Sequence, residues 1–143
     1  MILLDAAALV ALAKDEPAAD EVSAILEAGD AAISSVNLAE LIDQLVRVDG
    51  RDPQRVDALV QPLVDEKLRV RSPSGADAWR AALIRARYYD RKTCALSLAD
   101  CFLLAATGDE SIATSDQPVA GVARAEGVTL IALPNSAGER PQS

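Results

Sequence analysis

The sequence predicts an α/β domain built on a short, mainly parallel sheet, and three observations carry that prediction. Short apolar runs of strand length alternate with stretches of helical periodicity along the chain, the pattern of a parallel sheet covered by helices. Half of the 143 residues are hydrophobic but only 3% are aromatic, so the core must be made of Ala, Leu, Val and Ile, which suits helices lying close against a small sheet. Acidic residues stand where apolar runs end, at Asp5 and Asp116, and open α/β sheets build their sites at the carboxyl ends of strands. The length sets one domain as the default, here residues 1–133, followed by a flexible tail at 134–143 rich in Pro, Gly and Ser.

Met1–Leu4 reads as a buried strand ending at Asp5, and Ala6–Ala13 as a helix of small residues packed on the sheet. Asp5 is also a good N-cap for that helix. Lys14-Asp15-Glu16-Pro17 breaks the pattern, and Ala18–Ala28 is amphipathic, with Val22, Ile25 and Leu26 opposite Asp20, Glu21 and Glu27. Ala31–Ser34 is a second strand. The helix opened by Ser35 has an apolar stripe of Leu38, Leu41, Ile42, Leu45 and Val48, with Glu40 off the stripe beside Asn37. Asn37-x-x-Glu40 resembles a capping box. Asp52-Pro53 starts a helix running to Glu66, and Pro62 inside it predicts a kink or break. Leu68–Arg71 alternates apolar and basic residues, as a half-exposed edge strand does.

Asp77–Tyr89 is the next helix, with Trp79, Leu83 and Ile84 assigned to its apolar side. This segment and its exit hold Arg80, Arg85, Arg87, Arg91 and Lys92, five of the 14 basic residues, with Tyr88 and Tyr89 among them. A solvated helix face explains the run. So does a phosphate-contacting edge formed by Arg85, Arg87, Arg91 and Lys92, with tyrosines for base stacking. After it, Ala95–Ala106 is apolar at almost every position except Asp100. A helix apolar on all sides is buried, and burying a lone carboxylate is costly without a counter-charge, hydrogen bonds or a metal. Ser97-x-x-Asp100 is a capping box, which accounts for this acid locally. Ser111–Thr114 is a strand, Ser115-Asp116 follows it, Gln117-Pro118 opens a helix that Asp116 can cap, and Val128–Leu133 is the last strand.

Composition excludes several chemistries. The chain has no histidine, which removes His-dependent triads and the usual Cys/His zinc sites. Its two cysteines, Cys94 and Cys101, flank or occupy the apolar helix and suit a reducing, cytoplasmic setting rather than a disulfide framework. No signal segment is expected, and no run approaches the roughly 18 apolar residues that span a bilayer, so no membrane partner is expected. A net charge of −8 argues against a broad basic face for nucleic acid. It does not argue against an acidic metal site, whose charge bound cations offset.

Capping explains Asp5, Glu40, Asp100 and Asp116 one at a time; a single acidic cluster explains all four. Carboxylates gathered in one cleft repel one another and stay partly protonated unless cations bind. Oxygen ligands without His or Cys suit Mg²⁺ or Mn²⁺. Two such ions about 4 Å apart can activate a water and stabilise the leaving oxygen in phosphodiester hydrolysis. The chemistry points to a metal-dependent nuclease.

The ordered set of strand–Asp5, helix–Glu40, Leu98-Ala99-Asp100 in an apolar helix and Ala113-Thr114-Ser115-Asp116 resembles the PIN-domain ribonucleases, and in size the VapC-type toxins of type II toxin–antitoxin pairs. The resemblance covers about Met1–Leu133. It implies a three-layer α/β/α fold, Mg²⁺- or Mn²⁺-dependent endoribonuclease activity on RNA, a homodimer and a cognate VapB-type antitoxin that covers the site. Carried over, Asp5, Glu40, Asp100 and Asp116 are the catalytic and metal-binding acids, and Ser97 and Thr114 are supporting polar residues. The chain departs from the pattern at Ala7, where the family often has Ser or Thr. It departs again after Asp116, where Gln117, Pro118, Val119 and Ala120 stand in place of the further acid many members carry. Both departures bear on rate and metal number rather than on reaction class. Other readings are an RNA-processing PIN nuclease without an antitoxin and a catalytically weak PIN-like module that binds RNA or protein. A phosphoryl-accepting signalling domain is a further rival, but the paired early acids and late Lys it needs are not evident.

Overall fold

The computed structural model describes residues 1–142. Five strands, β1 (Ile2–Leu4), β2 (Ala31–Ser34), β3 (Leu68–Arg71), β4 (Ser111–Thr114) and β5 (Leu130–Ala132), form one sheet in the order β3-β2-β1-β4-β5. Every pairing is parallel, with Leu3 opposite Ala32 on one side and Ile112 on the other. The helices are α1 (Ala6–Ala13), α2 (Ala19–Glu27), α3 (Ser35–Asp43), α4 (Pro53–Glu66), α5 (Gly75–Tyr88), α6 (Leu98–Ala105) and α7 (Gln117–Ala125). A π-helical turn at Gln44–Val48 extends α3.

The period-two alternation of strand side chains splits the core into two layers. Leu4, Ile33 and Ala113 face one way, onto α1 to α4 through Leu9, Val22, Leu41 and Val56. Their neighbours Leu3, Ala32 and Ile112 face the other way, onto α5 to α7 through Ile84, Leu103 and Val119. The result is a three-layer α/β/α sandwich. Alanines at 31, 32 and 113 let helices approach the sheet closely on both faces, as the aliphatic, aromatic-poor composition requires.

Three expectations are corrected. Helix α4 runs unbroken through Pro62. That residue is on the exposed side, where a carbonyl left without its helical partner has access to solvent. Trp79 and Leu83 are not on the buried side of α5; they are 71% and 56% exposed, and Ala81 and Ile84 face the core instead. An i, i+3, i+4 apolar pattern satisfies either face of that helix, and the small Ala81 permits the closer approach to α6. On α3, Ser34 is the N-cap rather than Asn37. Asn37 lies on the buried stripe with Leu41 and Leu45, while Ile42 and Val48 are exposed. The described part of the tail, residues 134–142, turns at Asn135, whose Oδ1 accepts from the backbone of Ala137 and Glu139, and Arg140 pairs with Glu21.

No helix among the described residues is long and apolar enough to cross a membrane.

Candidate active site

The central strand decides where the acids go. Because all strands are parallel, their carboxyl ends and the helices that leave them share one edge. Asp5 is the residue after β1, Asp116 stands two residues after the adjacent β4, and α3, which carries Glu40, starts at the end of β2. Asp100 is in the first turn of α6, which packs on α3.

Asp5 is buried, at 4% exposed. Its Oδ1 accepts from the Ala8 backbone N–H at 2.9 Å, capping α1, and its Oδ2 accepts from the Thr114 hydroxyl at 2.5 Å. Thr114 is itself fully buried, and its Oγ1 accepts from the Asp116 backbone N–H at 3.0 Å. One threonine therefore ties the first acid to the last. Asp116 caps α7 through its Oδ2, which accepts from Val119 N–H at 3.1 Å. The Ser97–Asp100 capping box is formed in both directions: Asp100 Oδ2 accepts from Ser97 N–H at 2.9 Å, and Ser97 Oγ accepts from Asp100 N–H at 3.0 Å.

Glu40 is held by a residue whose motif points elsewhere. Asn37 Nδ2 donates to Glu40 Oε1 at 3.4 Å and to the Ala99 carbonyl at 3.3 Å, so this buried amide joins α3 to α6 one residue before Asp100. Asn37 Oδ1 is buried with no hydrogen-bond partner among the described residues. The available signal was its spacing, four residues before Leu41 and eight before Leu45, which puts it on the core stripe.

Three of the four carboxyls are also shifted upward. Burial, opposed by the Thr114 and Ala8 bonds and reinforced by the charges of Asp100 and Asp116, pushes the Asp5 carboxyl up to about 6. Glu40 is raised by burial first, with Asp100 and Asp116 adding to it. Asp100 is raised by burial, with the charge of Asp116 in the same direction. Asp5, Glu40 and Asp100, from segments far apart in the chain, thus each feel the charge of Asp116, and Asp5 and Glu40 also feel that of Asp100. Among the described residues no three carboxylates are already gathered tightly enough to cage an ion.

The donor set nonetheless fits a hard divalent cation. All donors are oxygens. Hydrogen bonds engage one oxygen each of Asp100, Asp116 and Glu40. The other oxygen of each has no hydrogen bond to the described protein. The mutual repulsion is the kind that a cation relieves. Thiol chemistry does not fit: burial pushes buried Cys101 up to about 11, and burial with the Asp116, Asp90 and Asp100 charges raises Cys94. An open cavity of about 270 Å³ is lined by Ala7, Glu16, Ser115, Asn135 and Ser136 among others, so its hydroxyls are those of Ser115 and Ser136 beside the methyl of Ala7.

The basic residues divide into two groups. Arg85 Nε donates to the Leu96 carbonyl at 3.1 Å, and its guanidinium lies 4.5 Å from the centre of the Tyr89 ring. Arg87 is 3.7 Å from the Glu126 carboxylate and 5.9 Å from the Tyr88 ring centre. Arg91 and Lys92 are exposed on the turn between α5 and α6.

Three solved structures share the architecture. FitAcB from Neisseria gonorrhoeae superposes with a TM-score of 0.68 at 22% identity, covering 92% of this chain and 96% of that one. VapBC2 from Rickettsia felis, bound to a DNA fragment from their promoter, gives 0.64 at 17% identity, covering 92% and 98%. A toxin–antitoxin complex from Klebsiella pneumoniae gives 0.58 at 21% identity, covering 82% and 88%. At these identities the likeness establishes the fold. No curated protein matches the sequence. The profile of the PIN domain does match, and it does so over residues 2–125, from β1 to the end of α7 and across all four acids; the chain belongs to the PIN domain family.

Proposed function

We propose that the chain is a metal-dependent endoribonuclease that hydrolyses RNA phosphodiester bonds at the carboxyl edge of its sheet, with the activity in residues 1–133. The observation that carries the reading is the charge penalty shared by Asp5, Glu40 and Asp100, which come from three separate elements and are raised by burial and by one another or by Asp116. A site built only to cap helices has no reason to set a buried carboxylate and two half-buried ones against one another's charge or that of Asp116.

Asp5, Glu40, Asp100 and Asp116 would hold Mg²⁺ or Mn²⁺. Bound divalent ions supply an activated water and neutralise charge at the leaving oxygen. The chain's own residues do the rest. Thr114 keeps Asp5 and Asp116 at a fixed separation, and Ser97 orients Asp100 through the capping box. Asn37 holds Glu40 against the first turn of α6. The N-termini of α1, α6 and α7 turn their N–H groups toward this edge, which favours the anionic substrate there. The test is incubation of the purified protein with a mixed cellular RNA pool. Cleavage is expected with Mg²⁺ or Mn²⁺, none in excess chelator, and recovery on adding metal back. Cleavage unaffected by chelator, or none with any metal, overturns the reading. The second of those outcomes favours the catalytically weak binding module that the bare methyl of Ala7 also suits.

The partner reading follows the same line. One of the similar structures is a toxin–antitoxin complex, and a VapB-type antitoxin is the proposed inhibitor of this chain. A second copy of the chain is proposed to cover the exposed apolar side of α5, where Trp79 and Leu83 face outward. Sedimentation is expected to show a dimer for the natural chain and a monomer for Leu83→Glu; a monomeric natural chain removes this part of the proposal.

A further inference from the structure

The acidic protein engages most of its cations internally. Of 14 Lys and Arg residues, six sit in ion pairs with carboxylates. Arg51, Arg80 and Arg85 donate to main-chain carbonyls. Among the described residues this leaves Arg55, Arg69, Arg91, Lys92 and Arg124 without a partner, and of these only Arg91 and Lys92 are neighbours in the chain.

The turn that carries them is closed by hydrogen bonds. Asp90 and Cys94 exchange both backbone hydrogen bonds, at 2.9 and 3.0 Å, closing the turn as an isolated bridge. Inside it, Asp90 Oδ1 accepts from the backbone N–H of Lys92 at 2.8 Å and of Thr93 at 2.9 Å. The turn is anchored on both sides, by Leu96 N–H to the Cys94 carbonyl and by Arg85 to the Leu96 carbonyl. Ser97, the cap of α6, follows directly. Cys94 lies close enough to the acidic cluster for its thiol to feel both Asp116 and Asp100. The pair of free cations therefore stands on the turn that leads into the Asp100-bearing end of α6.

We propose that Asp90 is a positioning residue whose carboxylate holds Arg91 and Lys92 as a preformed clamp for the phosphates of single-stranded RNA beside the acidic cleft. The inference rests on RNA being the substrate. Ordering this turn in advance removes a cost that binding would otherwise carry. The second Oδ of Asp90 and its charge are not needed for that; the acceptor is.

This separates the role from plain electrostatics by sign. Deleting a negative charge next to a polyanion strengthens binding if charge is all that matters. The test is binding of a fluorescein-labelled single-stranded RNA 12-mer in chelator, so that it reads affinity without cleavage and stands apart from the nuclease reading. Asp90→Asn keeps the Oδ1 acceptor and is expected to bind as tightly as the natural chain or more tightly. Asp90→Ala is expected to bind about three- to tenfold more weakly, although it too removes the charge. Amide hydrogen exchange at Lys92 and Thr93 is expected to speed up in Asp90→Ala and stay slow in Asp90→Asn. Replacing Arg91 and Lys92 by Ala is expected to flatten the salt dependence, by about 0.7 in log–log slope for each phosphate no longer neutralised. Asp90→Ala binding as tightly as or tighter than the natural chain overturns the proposal. So does Asp90→Asn falling with Asp90→Ala, or an unchanged salt slope in the double variant. If RNA cleavage fails but these binding results hold, only the nuclease reading is lost.

Discussion

Asp100→Asn is expected to abolish metal-dependent RNA cleavage while leaving the fold intact. The two halves of that expectation come from different oxygens and different charges. Asn Oδ1 can accept the Ser97 N–H as Asp100 Oδ2 does, and Asn is as good as Asp in local backbone-capping contacts. Helix α6 should therefore stay in place, with little change in its thermal unfolding. What the variant loses is a charged oxygen, the proposed metal ligand, at the point where Asp5, Glu40 and Asp100 are each raised by burial and neighbouring charge. Outer residues that merely orient a ligand typically change affinity or activity about 10–100-fold, and loss of a ligand is expected to exceed that. Asn37→Ala supplies the scale, since it frees Glu40 without touching a carboxylate and should fall inside that range. The measurement is the rate of RNA cleavage at saturating Mn²⁺ for all three proteins. An Asp100→Asn protein that cleaves at the natural rate would show that the acid only caps α6.

The second large effect is on stability and runs in the opposite direction to activity. In the folded chain Asp5 is raised from 3.8 to about 6, chiefly by burial. A group raised in the folded state contributes stability that is fully present below pH 3.8 and is lost as pH rises through about 6. A shift of that size corresponds to about 3 kcal/mol. At about pH 7.5, above the raised value, the buried charge is a net burden when no divalent metal is bound. Asp5→Asn removes it while keeping an acceptor for Ala8 N–H and a polar group against Thr114. The metal-free variant is expected to be more stable than the natural chain at that pH by about 1–3 kcal/mol. That is several degrees in Tm for a domain of this size. The gap should close as pH falls below about 4. Added Mn²⁺ should stabilise the natural chain by mass action and the variant far less. Thermal melts across pH, with and without metal, read all of this. A variant less stable than the natural chain at every pH would show that Asp5 is held as a structural anion, not as a strained ligand. Many enzymes make the same trade of stability for function at their sites.

Much of this site was legible before any coordinates. The positions of Asp5 after β1 and of Asp116 after β4 follow from strand length and polarity alone, and a parallel sheet then forces both to one edge. The capping box at Ser97 was legible because it is local, confined to one helical turn. Asn37 was misread for the same reason. As Asn-x-x-Glu it matches a local motif, whereas its actual job is to reach Ala99, 62 residues away. Trp79 was misread because helical periodicity defines a face without saying which neighbour it meets.

Residue order alone was enough for the succession of elements, the parallel sheet, the acids at its carboxyl edge and the all-oxygen chemistry they allow. These depend on short-range periodicity and on residue type, which neighbouring positions encode. It took the folded arrangement to show that Thr114 bridges Asp5 and Asp116, that Asn37 is buried against α6, and that α5 turns Trp79 to solvent. The same is true of the way Asp90 locks the turn bearing Arg91 and Lys92 beside the acids. Those outcomes depend on distances between residues far apart in the chain, and on which of several equally apolar surfaces packs most closely. Nothing local in the sequence carries that information.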